Sequence, residues 1–510
     1  MTGPQGTHAA ADVGRLARGG VLNLGGAASS AVLNFLLVVA VTRALSQGDA
    51  GQFFTATSLF LLLIAIGRLG SSAALVYFVA RMQAVGDSGL IRRCLRIALV
   101  PVGALSLALA ALLFATADPI ADTVIDGDHG QLAGFLRILA VFVPFGSILA
   151  GLLGVTRGFQ EMRPTVLVEK VLRPAIQLAG VIAFASLGAG AVVVAWSFPY
   201  VPAVIAGSAW MGVLVRRHTS ATYRTSDHAG LSREYWAFAV PRAIAGLLQV
   251  GMQRLDVVIV AVMLGPGPSA LYVVATRLVV LGAFGTQAVS MAVQPQVAGH
   301  FARGELAAVN ALYRVSTTWL MLVMWPTYLM AIVFAPTVML LFGSAYVSGW
   351  PVLVVMCCAG LLSSACGVVD AMLTMAGKTR WIMGNVTAAL VVSVSLDLLL
   401  IPLLGIIGAA WAWAAAMAVN NLLPLTQLFR FSGMHPFGRP TLLAALLPIV
   451  SYVPVAVACV VLLGRGLGGL AVASVAGTAI YAGLLWRARA ALALADLLGA
   501  VRSARSRAAA

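Results

Sequence analysis

A few ionisable side chains stand in long apolar stretches of this sequence, where an unpaired charge costs several kcal/mol, and most of them are basic. Arg68 lies about halfway along the apolar stretch 51–80, about 13 residues before Arg81, which places it near mid-bilayer depth if the stretch spans a membrane. Further on, Arg242, Gln249, Gln253 and Asp256 are spaced by seven, four and three, so one helical face carries all four, with Arg254 pointing elsewhere. The next stretch puts Arg277 at the depth of Asp256, counted from Gly265, and the two are predicted to be neighbours. Their chemistry is then either a neutralised clamp between helices or direct contact with a substrate. Arg68 has no acidic residue at obvious matching depth, so it either faces a cavity or bonds backbone carbonyls.

Other polar positions are more ambiguous. Ser363, Cys366, Asp370 and Thr374 share a face of one predicted helix; Asp370 is either a proton-coupled carboxylate or an acid satisfied by nearby hydroxyls. Asp397 sits near an outer helix end and reads as satisfied by its neighbours. Asn23, Ser30 and Asn34 share a face of the first span, and Thr276, Gln287, Ser290 and Gln294 one of the eighth, as packing contacts or cavity lining. Glu169 and Arg173, spaced i, i+4 with Arg157, Arg163 and Lys170 nearby, read as an inner headgroup-level cluster. Such a cluster serves topology and lipid contact, or Arg163, Lys170 and Arg173 form a basic cytoplasmic entrance for a phosphorylated lipid. Enzyme signatures fail. Met375-Ala376-Gly377-Lys378-Thr379 resembles the end of a phosphate loop, but Met372 replaces the required glycine. No two-histidine or paired-cysteine spacing predicts a metal, and nothing predicts a cofactor or nucleotide hydrolysis.

The elements that must hold these residues are membrane helices. Of 510 residues 61% are hydrophobic and only 9% charged, against roughly 25% charged in soluble domains. The fold class is therefore an all-α polytopic membrane protein with about 14 spans of about 20 residues each. Two units of six spans are expected, N-lobe 20–215 and C-lobe 237–430, joined by a cytoplasmic linker 216–236 and followed by two spans in 441–486. A polar tail 1–19 precedes them and a basic tail 487–510 follows. A net charge of +16 would suggest nucleic acid in a soluble chain. Here the arginines fall in loops on one side, from Arg81, Arg92 and Arg93 to Arg430 and Arg439, which makes that side and both termini cytoplasmic and nucleic acid no partner. The opposite loop carries Asp118, Asp122, Asp126 and Asp128. The first span acts as its own signal. A shift of 219 residues superposes Leu45, Gly48, Ala56, Thr57 and Leu59 on Leu264, Gly267, Ala275, Thr276 and Leu278, and Gly158 on Gly377, the mark of a parallel duplication.

Arg18 to Asn23, Thr42-Arg43-Ala44-Leu45 with Gly48 and Gly51, and Gln253-Arg254-Leu255-Asp256 before Leu264-Gly265-Pro266 together resemble the Wzx-type polysaccharide flippases. So do Ala376 to Thr379 and the run from Ile401-Pro402 to Ala410. The resemblance implies the fold of the MOP superfamily, two lobes around a central cavity, alternating access, and a polyprenyl-diphosphate-linked oligosaccharide moved from inner to outer leaflet for envelope polysaccharide assembly. It implies a monomer, not an enzyme, in a bacterial cytoplasmic membrane, with membrane lipids and envelope glycan polymerase or glycosyltransferases as partners. Arg68, Arg254 and Arg277 become candidate diphosphate contacts, and Asn34, Gln249, Gln253, Asp256 and Asp370 candidate polar or coupling groups. Asp397 stands where relatives often carry an amide. Three rivals remain open: a MATE-type cation antiporter, disfavoured because the first span has no acid; a lipid II flippase, whose Ser-Arg and Gly-Phe-x-Arg pattern is missing; and a polysaccharide polymerase or ligase, disfavoured by short outer loops.

Overall fold

A computed structural model describes residues 25–125, 130–218 and 230–489, so Asn23, Asp126, Asp128, the N-terminal tail and most of the linker and basic tail lie outside the described residues. Among the described residues there is no strand, and thirteen helices are long and apolar enough to cross a membrane. In chain order they are α1 Gly25–Ala44, α2 Gln47–Val85, α3 Ser88–Ala115, α4 Gly130–Gly158, α6 Ala189–His218, α7 Leu231–Leu264 and α8 Pro266–Ala302. Then come α9 Leu306–Val333, α10 Ser344–Met375, α11 Thr379–Leu404, α12 Ile406–Ser432, α13 Arg439–Leu463 and α14 Leu467–Ala488. The stretch expected as the fifth span, α5, is composite. A π-helix, Thr165–Leu172, runs directly into an α-helix, Arg173–Phe184, and neither part spans alone.

The cause of that composite is Pro174. A proline has no N–H to give residue i−4, and its ring clashes with that carbonyl. The chain widens instead, and the Arg173 N–H reaches Val168 O, five residues back. Elsewhere, helix ends follow ordinary capping chemistry. Ser46 caps α2 by accepting from the Asp49 N–H at 3.1 Å, and Gly86, left-handed at φ 84°, ends it with Asp87 N–H returning to Met82 O.

Two spans expected to be continuous are broken. In α2 the regular helix stops at Gly67, Leu69 (φ 48°) and Gly70 (φ 69°) are left-handed, and a second helix starts at Ser71. In α10 the break is at Gly367 (φ 69°), against which Thr317 packs so closely that a Cβ would lie 2.0 Å from its Oγ1. Ser363 and Cys366 therefore belong to one helix and Asp370 and Thr374 to another, and the single face predicted for the four is not formed.

The chain divides into two compact units, Met1–Ala270 and Leu271–Ala510. In the first, α4 is the central helix, packed by α2, α3 and α6. Its core joins Leu75, Phe78, Val79, Cys94, Val155, Tyr235 and Ala239, so α7 is built into this unit. In the second, α11 and α12 form a hairpin, α10 packs on α9 and α12, and α13 pairs with α9 and α14. The 219-residue offset also relates structural features: α4 and α10 are the two most buried spans, and each is preceded by a short helix, Ala117–Val124 and Ala335–Leu340. The turns at its first matched block touch. Gln47 donates to Gly267 O at 3.2 Å, and a Cβ on Gly51 would fall 1.7 Å from Pro266 O.

Candidate functional site

Arg68 owes its position to the break in α2. Its carbonyl accepts from the Ser71 N–H at 2.8 Å, so the backbone is satisfied locally while the side chain leaves the helix. The guanidinium lies against α7, where a Cβ on Gly246 would stand 3.0 Å from Nη2. Two glycines allow this approach, since Gly70 meets the backbone of Ala239 and Ala243 with no room for a Cβ. The acidic partner missing from the sequence reading comes from α5: the Glu169 carboxylate acts electrostatically on Arg68, and also on Arg157 and Lys170. Arg157 is further held by donating to Ser72 Oγ at 2.7 Å and to Leu153 O.

Glu169 stands on the π-helix, one turn before Arg173. Arg173 donates from Nη1 to Gln177 Oε1 and to Tyr200 Oη, both at 3.3 Å, and its guanidinium lies 4.9 Å from the Tyr200 ring centroid. Gln177 in turn donates to Trp196 O at 2.8 Å. Phe53, Phe60, Trp196 and Tyr200 pack edge to face around this point, which fixes the Tyr200 ring. Arg254 on α7 faces both Tyr200 and Asp256 electrostatically. The first unit thus gathers Arg68, Arg157 and Lys170 around Glu169, and Arg173 and Arg254 around Tyr200 with Asp256 beside Arg254. Five cations against two anions leave a net positive interior suited to a multivalent anion.

The other predicted positions are distributed differently. On α7, Arg242, Gln249 and Gln253 are exposed while Asp256 is 6% exposed, its Oδ1 accepting from the Val257 N–H at 2.8 Å. The stripe is real for three members and turns inward at the fourth. Asp256 falls in the first unit and Arg277 in the second, where Arg277 Nε donates to Val273 O at 3.0 Å. Asn34 is exposed and bonds its own helix, at Ser30. Asp370 is exposed, and Thr374 bonds its backbone carbonyl at 2.6 Å. Asp397 is buried on α11. Of the proposed entrance residues, Arg163 is exposed beside Glu161 at 3.8 Å, whereas Lys170 and Arg173 belong to these internal groups. Among the described residues no cluster of His, Cys, Asp and Glu is arranged to hold a metal.

Apolar spans in two helical units, with a helix break beside Arg68, define an all-α polytopic membrane fold. The fold is that of the MOP superfamily: it matches the inward-closed structure of the lipid II flippase MurJ with a TM-score of 0.72, at 13% identity over 90% of this chain and 97% of that one. It also matches an inward-facing multidrug resistance MATE transporter with a TM-score of 0.63, at 16% identity over 79% and 96% of the two chains. Residues 16–298 match the polysaccharide biosynthesis protein family, and the chain belongs to that family. A probable low-salt glycan biosynthesis flippase, Agl15 of Haloferax volcanii, is 26% identical over 198 residues. That similarity spans 39% of this chain and 41% of the relative. The resemblance to Wzx-type polysaccharide flippases of the MOP superfamily read from the sequence is in accord with all of these.

Proposed function

We propose that this protein flips a polyprenyl-diphosphate-linked oligosaccharide from the inner to the outer leaflet of a bacterial cytoplasmic membrane, by alternating access and without nucleotide hydrolysis. The observation that carries the proposal is the net positive set of Arg68, Arg157, Lys170, Arg173 and Arg254 inside the first unit. A diphosphate supplies the missing negative charge, and guanidinium forks bind its oxygens in pairs. The polyprenyl tail needs no site because it can stay in lipid. Arg68 and Arg254 are the proposed diphosphate contacts in the first unit. Glu169 is the resident counter-anion that keeps the network from being empty of negative charge before the substrate arrives.

The family and the glycan flippase relative support the polysaccharide substrate class. A basic network argues against organic cations, which it repels. Both termini lie on the cytoplasmic side in this proposal, following the arginine bias of the loops. The test is charge reversal. Arg68→Glu in proteoliposomes should abolish movement of the lipid-linked glycan while the protein still folds, as read by its elution and melting profile. Normal movement in that variant would remove Arg68 from the site.

A further inference from the structure

The geometry points to a sugar-binding ledge on the α2–α7 seam, built by Tyr77 and Phe238 beside Arg242, that takes a pyranose ring of the glycan; it rests on the transport reading above. The Tyr77 and Phe238 rings are stacked, with centroids 4.4 Å apart and planes within 17°. Arg242 places its guanidinium 3.6 Å from the Phe238 centroid, so Tyr77 and Arg242 take the two faces of that ring. Phe78 meets both aromatics edge-on, at 5.3 Å and 5.7 Å, and anchors them to Tyr235 in the core of the first unit. At the inner end of the seam Arg81 pairs with Glu234, tying α2 to α7 again. The ledge is rigid. Yet Tyr77 is 45% exposed, and among the described residues its aromatic contacts are Phe78 and Phe238.

What touches the exposed part of Tyr77 follows from its neighbours. Arg242, Gln249 and Gln253 are all exposed on α7, and Tyr77 is about 12 Å along the helix from its end at Val85. The Arg242 guanidinium on this stack faces water or a polar ligand, because acyl chains leave its hydrogen bonds unmade, and Gln249 and Gln253 continue the polar stripe about 10 and 16 Å farther along α7. A fixed aromatic face in a seam that carries these groups fits a pyranose, which has one face of C–H bonds and a rim of hydroxyls. An organic cation fits the ring but is repelled by Arg242. A bare phosphate fits Arg242 but makes no use of the ring. The seam runs from Arg81 to Arg68 and Gly246, so the ledge lies between the inner end of α2 and the proposed diphosphate site. A glycan whose diphosphate rests at Arg68 has its sugars at this level.

The experiment measures equilibrium binding to the full chain in nanodiscs with two probes: polyprenyl diphosphate, and the same lipid carrying a neutral β-glucosyl disaccharide. The wild type should hold the glycosylated lipid about 10-fold more tightly than the bare one. Tyr77→Leu should bring the two to within about twofold by weakening only the glycosylated lipid, with an unchanged melting temperature. Tyr77→Phe keeps the ring and should keep the difference. Equal affinity of the wild type for both probes, or an equal loss of both in Tyr77→Leu, overturns the ledge while leaving the diphosphate site standing. Failure of the wild type to bind either lipid overturns the transport reading and the ledge with it.

Discussion

Glu169 is the residue that makes the basic network intelligible. Alone, Arg68, Arg157 and Lys170 would repel one another in a region poor in water; with one carboxylate among them they can be held together until an anion replaces or joins it. Two predictions belong at this scale. Glu169→Gln removes one of two carboxylates, so polyprenyl diphosphate should bind about 5-fold or more tightly. The same variant should flip more slowly, because release is then the harder step; equilibrium binding and single-turnover flipping in one preparation check both. Arg68→Ala should weaken binding by about 10-fold or more, the worth of a charge-assisted hydrogen bond. Arg68 and Arg254 were legible in the sequence because each is a charge in an apolar run. The partnership of Arg68 with Glu169 was not, since a charge near a span end reads as a headgroup residue until the helix register is known.

That register is an element property. The π-helix at Thr165–Leu172 adds a residue to one turn, which turns the helix about 100° relative to an α-helical reading. Glu169 and Lys170 face the network in this register, whereas from sequence they read with Arg163 as a headgroup-level cluster. Pro174 was the available signal. Pro174→Ala should let this turn close to α-helical geometry, with stability changed by no more than about 1 kcal/mol and flipping strongly reduced; melting curves beside the liposome assay test the pair of outcomes. Wild-type flipping by that variant would mean the register is unimportant. The break in α2 is a second element device, written in Gly67 and Gly70 on either side of Arg68. Gly70→Ala combines a left-handed φ of 69° with a Cβ 2.3 Å from Ala239 O, and should cost roughly 1–3 kcal/mol. The thirteen helices able to cross among the described residues were legible from length and apolarity alone. The composite α5 was not, nor were the breaks at Gly70 and Gly367, because a glycine in an apolar span marks close packing as readily as a turn.

At the scale of the whole molecule, the two stretches related by the 219-residue offset carry unequal chemistry. The offset of 219 residues relates the turns before α2 and α8, the short helices before α4 and α10, and the buried helices α4 and α10 themselves. The charges do not follow it. The counterpart of Arg68 by that offset is Gln287, that of Glu169 is Ala388 and that of Arg254, on the helix matching α1, is Phe35, so neither copy repeats the other's charges. In the proposed function, an anion site within the first unit gives a diphosphate a fixed place to rest. The most direct measurement of that central claim reconstitutes the purified chain in liposomes containing a fluorescent oligosaccharide on polyprenyl diphosphate and follows the fraction reached by an impermeant quencher. Faster access than in protein-free vesicles, with glycan length unchanged and the gain lost in Arg68→Glu, is the predicted result. Access no faster than in protein-free vesicles, or equally fast in Arg68→Glu, would contradict it.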